Sequence, residues 1–256
     1  MMKHALITGA GTGIGASIAA TLATAGFSIT LLGRREDVLE SAAAKLDTAT
    51  ENSQCIVCDV SSESHVKQAF TQARSGLGDI QILVNCAGIA PTSPFHKLTG
   101  KQWNEVLNVN LNGVFYCTAE VIEQMRQSRY GRIINIASTA SLRGYAYVSA
   151  YTAAKHGVLG LTRALALETA PLGITVNAVC PGYTDTERLS SLIASKAKSS
   201  NKTEAEIENN MKNQIPAGRF GTPEEAAKAI AFLASPAAGY INGVNLSVDG
   251  GRLSCI

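Results

Sequence analysis

The amino-acid sequence predicts an α/β fold in one domain: a doubly wound parallel sheet flanked by helices, with a helical insertion before the last helix and strand. Three observations predict it. Short apolar runs alternate with longer amphipathic stretches along the chain. The runs are rich in Val and Ile and lack polar alternation, as strands buried on both faces do. The first run also passes directly into a glycine cluster and then a helical stretch, the opening of a βαβ unit. The 256 residues would fit one large domain or two small ones, and no linker or internal repeat divides them, so one domain over 1–256 is expected.

Taken in order, the strand candidates are 5–7, 28–32, 54–57, 80–84, 132–136, 174–179 and 244–248. Helical patterns occupy 14–25, 35–49, 66–74, 106–125, 151–170 and 223–233. Strictly alternating units of this kind give right-handed crossovers and helices on both faces of the sheet. The interval 184–215 breaks the rhythm. It is polar, rich in Ser, Lys and Asn, and its apolar residues Leu189, Leu192, Ile193, Ile207 and Met211 allow two short, poorly buried helices. Because it follows a strand, at the edge where doubly wound sheets bind ligands, it is expected to be a lid over a pocket.

Composition excludes several functions. Lys and Arg number 22 against 20 Asp and Glu, a net charge of +2 with no basic block, so neither nucleic acid nor a membrane surface is an expected partner. No apolar stretch approaches the roughly 20 residues of a membrane span. The short apolar start lacks a signal-peptide pattern, and a cytoplasmic location is expected. Cys55 and Cys58 have redox-motif spacing, but residues three apart on a strand face opposite ways, so both read as small buried hydrophobes. His4, His65, His96 and His156 share no ligand spacing, and no metal site is expected. Asn201-Lys202-Thr203 matches a glycosylation sequon by chance.

Two motifs carry chemistry. The first is Thr8-Gly9-Ala10-Gly11-Thr12-Gly13-Ile14-Gly15 between a strand and a helix. Its spacing is G-x-x-x-G-x-G through Gly9, Gly13 and Gly15. Glycines there let the backbone turn sharply and bring a diphosphate against free helix N–H groups, so a Rossmann-like dinucleotide site is expected. The next strand should end at the adenosine ribose. It ends Leu31-Leu32-Gly33-Arg34-Arg35, with no carboxylate at Gly33 to hold ribose hydroxyls and a guanidinium at Arg34 able to pair with a 2′-phosphate. NADP(H) is therefore expected over NAD(H). The second motif is Tyr151-Thr-Ala-Ala-Lys155, whose four-residue spacing puts Tyr and Lys on one helix face. A free tyrosine holds its proton too tightly for acid–base work at neutral pH, and a nearby ammonium favours the phenolate.

With these two motifs, Asp59-Val60, Asn85-Cys86-Ala87-Gly88, Asn108-Val109-Asn110, Ile136-Ala137-Ser138 and Pro181-Gly182 follow in order, and over its full length the sequence resembles the short-chain dehydrogenase/reductase family. Cys86 stands where the family has a second asparagine. The resemblance implies an NAD(P)-dependent oxidoreductase interconverting a ketone and a secondary alcohol. Ser138 would hydrogen-bond the carbonyl oxygen, and Tyr151 would give it a proton. Lys155 would hold the nicotinamide ribose and favour the Tyr151 phenolate, and Asn110 would hold a water joining Lys155 to solvent. Gly9, Thr12, Gly13, Ile14 and Gly15 would line the diphosphate. Asp59 and Val60 would lie near the adenine, and Asn85 and Gly88 along the adenosine ribose. Pro181, Gly182, Thr184 and Thr186 would run beside the cofactor, with Thr186 nearest the nicotinamide carboxamide or the phosphates. Tyr145, Tyr147, His156 and Trp103 read as packing residues.

The substrate is less legible. The segments around Lys155 and Val176 are similar to those of 3-oxoacyl thioester reductases and 3-hydroxybutyrate dehydrogenases. No basic residue occupies 148–150, where a dehydrogenase of a small 3-hydroxy acid would hold a free carboxylate. A 3-oxoacyl reductase is therefore expected, with a dehydrogenase of a cyclic or small hydroxy compound, or a non-catalytic dinucleotide sensor, as alternatives. Ala90, Pro91, Thr92, Arg143, Tyr145, Tyr183 and the lid would shape the pocket. Homotetramers are common among the relatives implied.

Overall fold

A computed structural model describes residues 3–46 and 52–253. Seven parallel strands form one sheet: β1 (His4–Thr8), β2 (Ser28–Gly33), β3 (Ser53–Val57), β4 (Ile80–Asn85), β5 (Gly131–Ile136), β6 (Ile174–Pro181) and β7 (Asn245–Val248). Their order is β3-β2-β1-β4-β5-β6-β7. Every residue of β1, β5 and β6 is buried, while the edge strands β3 and β7 are partly exposed. This is why the central runs carry no polar alternation: helices cover both faces.

The helices are α1 (Gly13–Thr24), α2 (Glu36–Ala43), α3 (Glu63–Leu77), α4 (Gly100–Leu107), α5 (Gly113–Ser128), α6 (Ser149–Thr169), α7 (Glu187–Ser200), α8 (Glu204–Lys212) and α9 (Pro223–Ala234). The expected 35–49 helix runs only to Ala43, and residues 47–49 lie outside the described residues. The single helix expected over 106–125 is two helices, α4 and α5, joined by a π-helical turn at Asn108–Asn112. Apolar periodicity is similar on either side of such a turn, so it left no mark in the pattern. The insertion forms α7 and α8, which bury only Leu189, Ile193, Ala197 and Met211 between them. Beyond it, α9 returns to pack on α1, joining the last part of the chain to the first.

At the N-terminal end of β1, a polar chain holds the strand in place. His4 Nε2 lies 2.7 Å from Thr30 Oγ1, and His4 Nδ1 lies 2.8 Å from the carbonyl of Gly78. Gln54 donates to the same Thr30 hydroxyl. A carbonyl only accepts, so Nδ1 carries the ring proton and Nε2 accepts from Thr30. Burial lowers the His4 pKa and keeps the ring neutral.

Candidate active site

From β1 the chain winds outward one way to β3, and from β4 the other way to β7, so the sheet reverses between β1 and β4. Loops leaving neighbouring strands diverge there, opening a crevice at their C-terminal ends. Thr8 ties its two sides together: its hydroxyl accepts from the backbone N–H groups of Cys86 and Ala87. The glycine turn fits the gap for want of side chains. A Cβ on Gly9, whose φ is +66°, would meet Ala87 Cα at 2.9 Å, and one on Gly15 would overlap the Gly9 carbonyl oxygen.

The α1 N-terminus opens on this crevice. Its N-cap, Thr12, makes no side-chain capping bond, and its first turn has no acid. By contrast α3, α4, α8 and α9 are all capped by Ser or Thr side chains. Free N–H groups and a positive helix end suit a diphosphate. Thr186, N-cap of α7 and likewise uncapped, lies against Gly13, 3.2 Å from where its Cβ would sit. Arg34 is exposed at the end of β2 and forms no ion pair among the described residues. At the end of β3, Asp59 accepts from the backbone and the hydroxyl of Ser61. Partial burial raises the Asp59 pKa, but the Ser61 bonds and the charges of Arg34 and His65 outweigh it and hold it below the usual value. Val60 is buried against Gly113. Thr184 is buried where the chain bridges to Gly221. Gly182 has no room for a Cβ, which would meet Asp249 Cα at 2.9 Å.

The catalytic candidates converge across the crevice. Lys155, on α6, is buried, and its Nζ donates to the Ile136 carbonyl at 2.6 Å. That bond seats the ammonium at the end of β5, just before Ser138, and 5.7 Å from the centre of the Tyr151 ring. Burial lowers the Lys155 pKa, against the opposing influence of Tyr151. Ser138 follows β5 in extended conformation, and its Oγ accepts from Ala140 N–H at 3.1 Å. Its hydroxyl hydrogen is left to donate. A Cβ on Gly88 would lie 2.7 Å from Asn110 Oδ1 and 3.9 Å from Lys155 Nζ, so Gly88, Asn110 and Lys155 meet at one point.

Two expected residues also carry structural hydrogen bonds. The Asn110 side chain donates to the carbonyls of Ile89 and Val106 and accepts from Ile89 N–H, so it pins the loop after β4 to the π turn. Both its amide hydrogens are committed, which leaves the second lone pair of Oδ1 and the backbone to hold a water. The Asn85 side chain turns into the core, donating to Asn135 and Thr118. Period-2 alternation sets that direction, and a motif match does not report it.

Two cations beside these residues carry no mark in the sequence. Arg188, in the first turn of α7, lies 5.5 Å from the centre of the Tyr151 ring. Arg252 reaches back from beyond β7 to Tyr145 and Tyr183. Nothing in the local pattern distinguishes either from a surface arginine. Tyr145, expected to pack and to shape the pocket, hydrogen-bonds Thr139, the neighbour of Ser138. Among the described residues, burial raises the pKa of every thiol. Burial pushes Cys58 up to about 12, and Cys86 and Cys180, beside Lys155, to about 11. Among the described residues, no three His, Cys, Asp or Glu side chains gather as a metal site would require.

The family described as enoyl-(acyl carrier protein) reductase matches residues 9–252. The chain belongs to the short-chain dehydrogenase/reductase family. It is 40% identical over 252 residues to an acetoacetyl-CoA reductase of Shinella zoogloeoides, covering 98% of this chain and 99% of that one. It is 37% identical over 253 residues to the 3-oxoacyl-[acyl-carrier-protein] reductase FabG of Aquifex aeolicus, covering 97% and 96%. Among solved structures, a variant of the actinorhodin polyketide ketoreductase with NADPH superposes with a TM-score of 0.94 at 34% identity, covering 98% and 97%. This short-chain dehydrogenase/reductase is an NAD(P)-dependent oxidoreductase that interconverts a ketone and a secondary alcohol. No helix among the described residues is long and apolar enough to cross a membrane.

Proposed function

We propose that the enzyme reduces 3-oxoacyl thioesters with NADPH, with Tyr151 as proton donor. The observation that carries this is a buried Lys155 bonded to the Ile136 carbonyl, two residues before Ser138, with its Nζ 5.7 Å from the centre of the Tyr151 ring. The names of the relatives, an acetoacetyl-CoA reductase and a 3-oxoacyl carrier-protein reductase, support the substrate class. Arg34 supports NADPH, as does the NADPH of the ketoreductase structure.

When bound, the nicotinamide supplies a hydride to the carbonyl carbon. Ser138 donates its free hydroxyl hydrogen to the carbonyl oxygen and steadies the charge that develops there. The Tyr151 hydroxyl, which makes no hydrogen bond among the described residues, gives that oxygen its proton. Lys155 keeps a positive charge beside Tyr151 as the proton leaves, and its remaining N–H groups hold the nicotinamide ribose. Gly9, Thr12, Gly13, Ile14 and Gly15 would hold the diphosphate. Asp59 and Val60 would hold the adenine, and Asn85 and Gly88 the adenosine ribose. Pro181, Gly182, Thr184 and Thr186 would hold the nicotinamide side.

We also propose that residues 1–256 act as one domain, with 184–215 as its lid, in a cytoplasmic homotetramer. The sparse burial of α7 and α8 supports the lid, and the free cysteines among the described residues suit a reducing compartment. The deciding experiment is Tyr151→Phe. Turnover of acetoacetyl-CoA should fall at least about a thousandfold, the scale of losing a positioned acid, while NADPH still binds with near wild-type affinity. Retained turnover would remove Tyr151 from the chemistry.

A further inference from the structure

The substrate side of the crevice carries more positive charge than the reaction requires. Gly250 and Gly251, at φ +64° and +81°, turn the chain after β7 so that Arg252 folds back into the protein. Arg252 is 9% exposed. Its Nη1 donates to the Tyr145 hydroxyl at 2.9 Å, and that hydroxyl donates to Thr139 Oγ1 at 3.1 Å, one residue from Ser138. Its guanidinium also lies 3.9 Å from the centre of the Tyr183 ring and 5.0 Å from that of Tyr145. Arg143 lies 5.0 Å from the same Tyr145 ring, and Arg188 stands over Tyr151. Lys196, on α7, is close enough that the charge of Arg252 adds to partial burial in lowering its pKa.

Among the described residues, none of these four cations has a carboxylate partner. The nearest acid in the same turn, Asp249, accepts from the backbone of Gly251 and Leu253 instead. A buried cation without an anion is costly, and two aromatic faces offset only part of that cost. Arg252 keeps donors beyond the one given to Tyr145, in a fork that matches a carboxylate or a phosphate.

We propose that Arg252 is a specificity-determining residue that binds an anionic group of the substrate, with Tyr145 and Tyr183 orienting its guanidinium toward the reacting carbonyl. The proposal rests on the ketone-reductase function above and adds what the ketone carries. The anion has two sources among 3-oxo ketones: a phosphate of the carrier when the substrate is a thioester, or the free carboxylate when it is the 3-oxo acid itself.

KM would be measured with NADPH for acetoacetate, its methyl ester, acetoacetyl-CoA and the truncated N-acetylcysteamine thioester, in wild type, Arg252→Gln and Arg252→Lys. In wild type the charged member of one pair should have a KM about tenfold or more below its neutral partner, the scale of a charge-assisted bond. Arg252→Gln should bring that ratio to about one, with Arg252→Lys between. A shift in the acetoacetate pair assigns the anion to the oxoacyl group, and one in the CoA pair assigns it to the carrier. Equal losses on all four substrates would reduce Arg252 to a brace for the two tyrosines and overturn the proposal. If wild type reduces neither thioester, the thioester-reductase function fails by itself. Calorimetry on the NADPH complex with butyrate, inorganic phosphate and butyramide then decides the anion contact. Preference for an anion over butyramide that is lost in Arg252→Gln supports it, and equal binding in wild type overturns it.

Discussion

Single residues here have tasks set by what surrounds them. Arg34 is an exposed cation at the end of β2, where the chain has Gly33 in place of a carboxylate. Arg34→Ala should lower the NADPH-over-NADH preference in kcat/KM by about tenfold or more, since a charge-assisted bond to phosphate is worth about 1.5–3 kcal/mol. An unchanged preference would place the selectivity elsewhere. His4 shows the opposite case, a titratable side chain held neutral. Its folded pKa lies below the unfolded value, so the unfolded chain takes up the proton first as pH falls. The contribution of His4 to stability is therefore complete above about 6.5 and is lost below it. Urea unfolding across pH 7 to 5 should show a steeper decline for wild type than for His4→Gln. Parallel curves would show that the Gly78–His4–Thr30 chain does not depend on the neutral ring.

At the scale of elements, helix ends separate structure from function. The N-terminus of α9 is closed by a capping box: Thr222 accepts from Glu225 N–H, Glu225 accepts from Thr222 N–H, and Pro223 occupies the first turn. Thr222→Ala should lower the unfolding free energy by about 1 kcal/mol in chemical denaturation, with NADPH affinity unchanged. The uncapped α1 is the contrast, and its glycines were visible in the sequence because a tight turn can be made from few residue types. The π turn between α4 and α5 was not visible. It is defined by backbone bonding around Asn110, and the side chain of that residue is consumed in holding the loop at Ile89.

For the whole molecule, the sheet edge matters most. β7 ends the sheet, and around it Leu167, Phe232, Tyr240, Val244 and Leu246 remain exposed. An apolar sheet edge of this kind is a ready surface for association. Light scattering of the wild type should give a tetramer, and Leu246→Asp should give a smaller species. A wild-type monomer would overturn the proposed assembly.

The seven strands, the glycine turn and the Tyr151–Lys155 pair were all legible in the sequence, because periodicity and short-range spacing are local properties. The insertion was marked there too, through the loss of that periodicity between 184 and 215. What those residues face was settled by packing. Asn85 turns to the core, Lys155 is seated on the Ile136 carbonyl, and Arg188 and Arg252 arrive from distant segments beside Tyr151 and Tyr145. Such meetings join residues separated by up to 107 positions, as Tyr145 and Arg252 are, and only the folded chain brings them together.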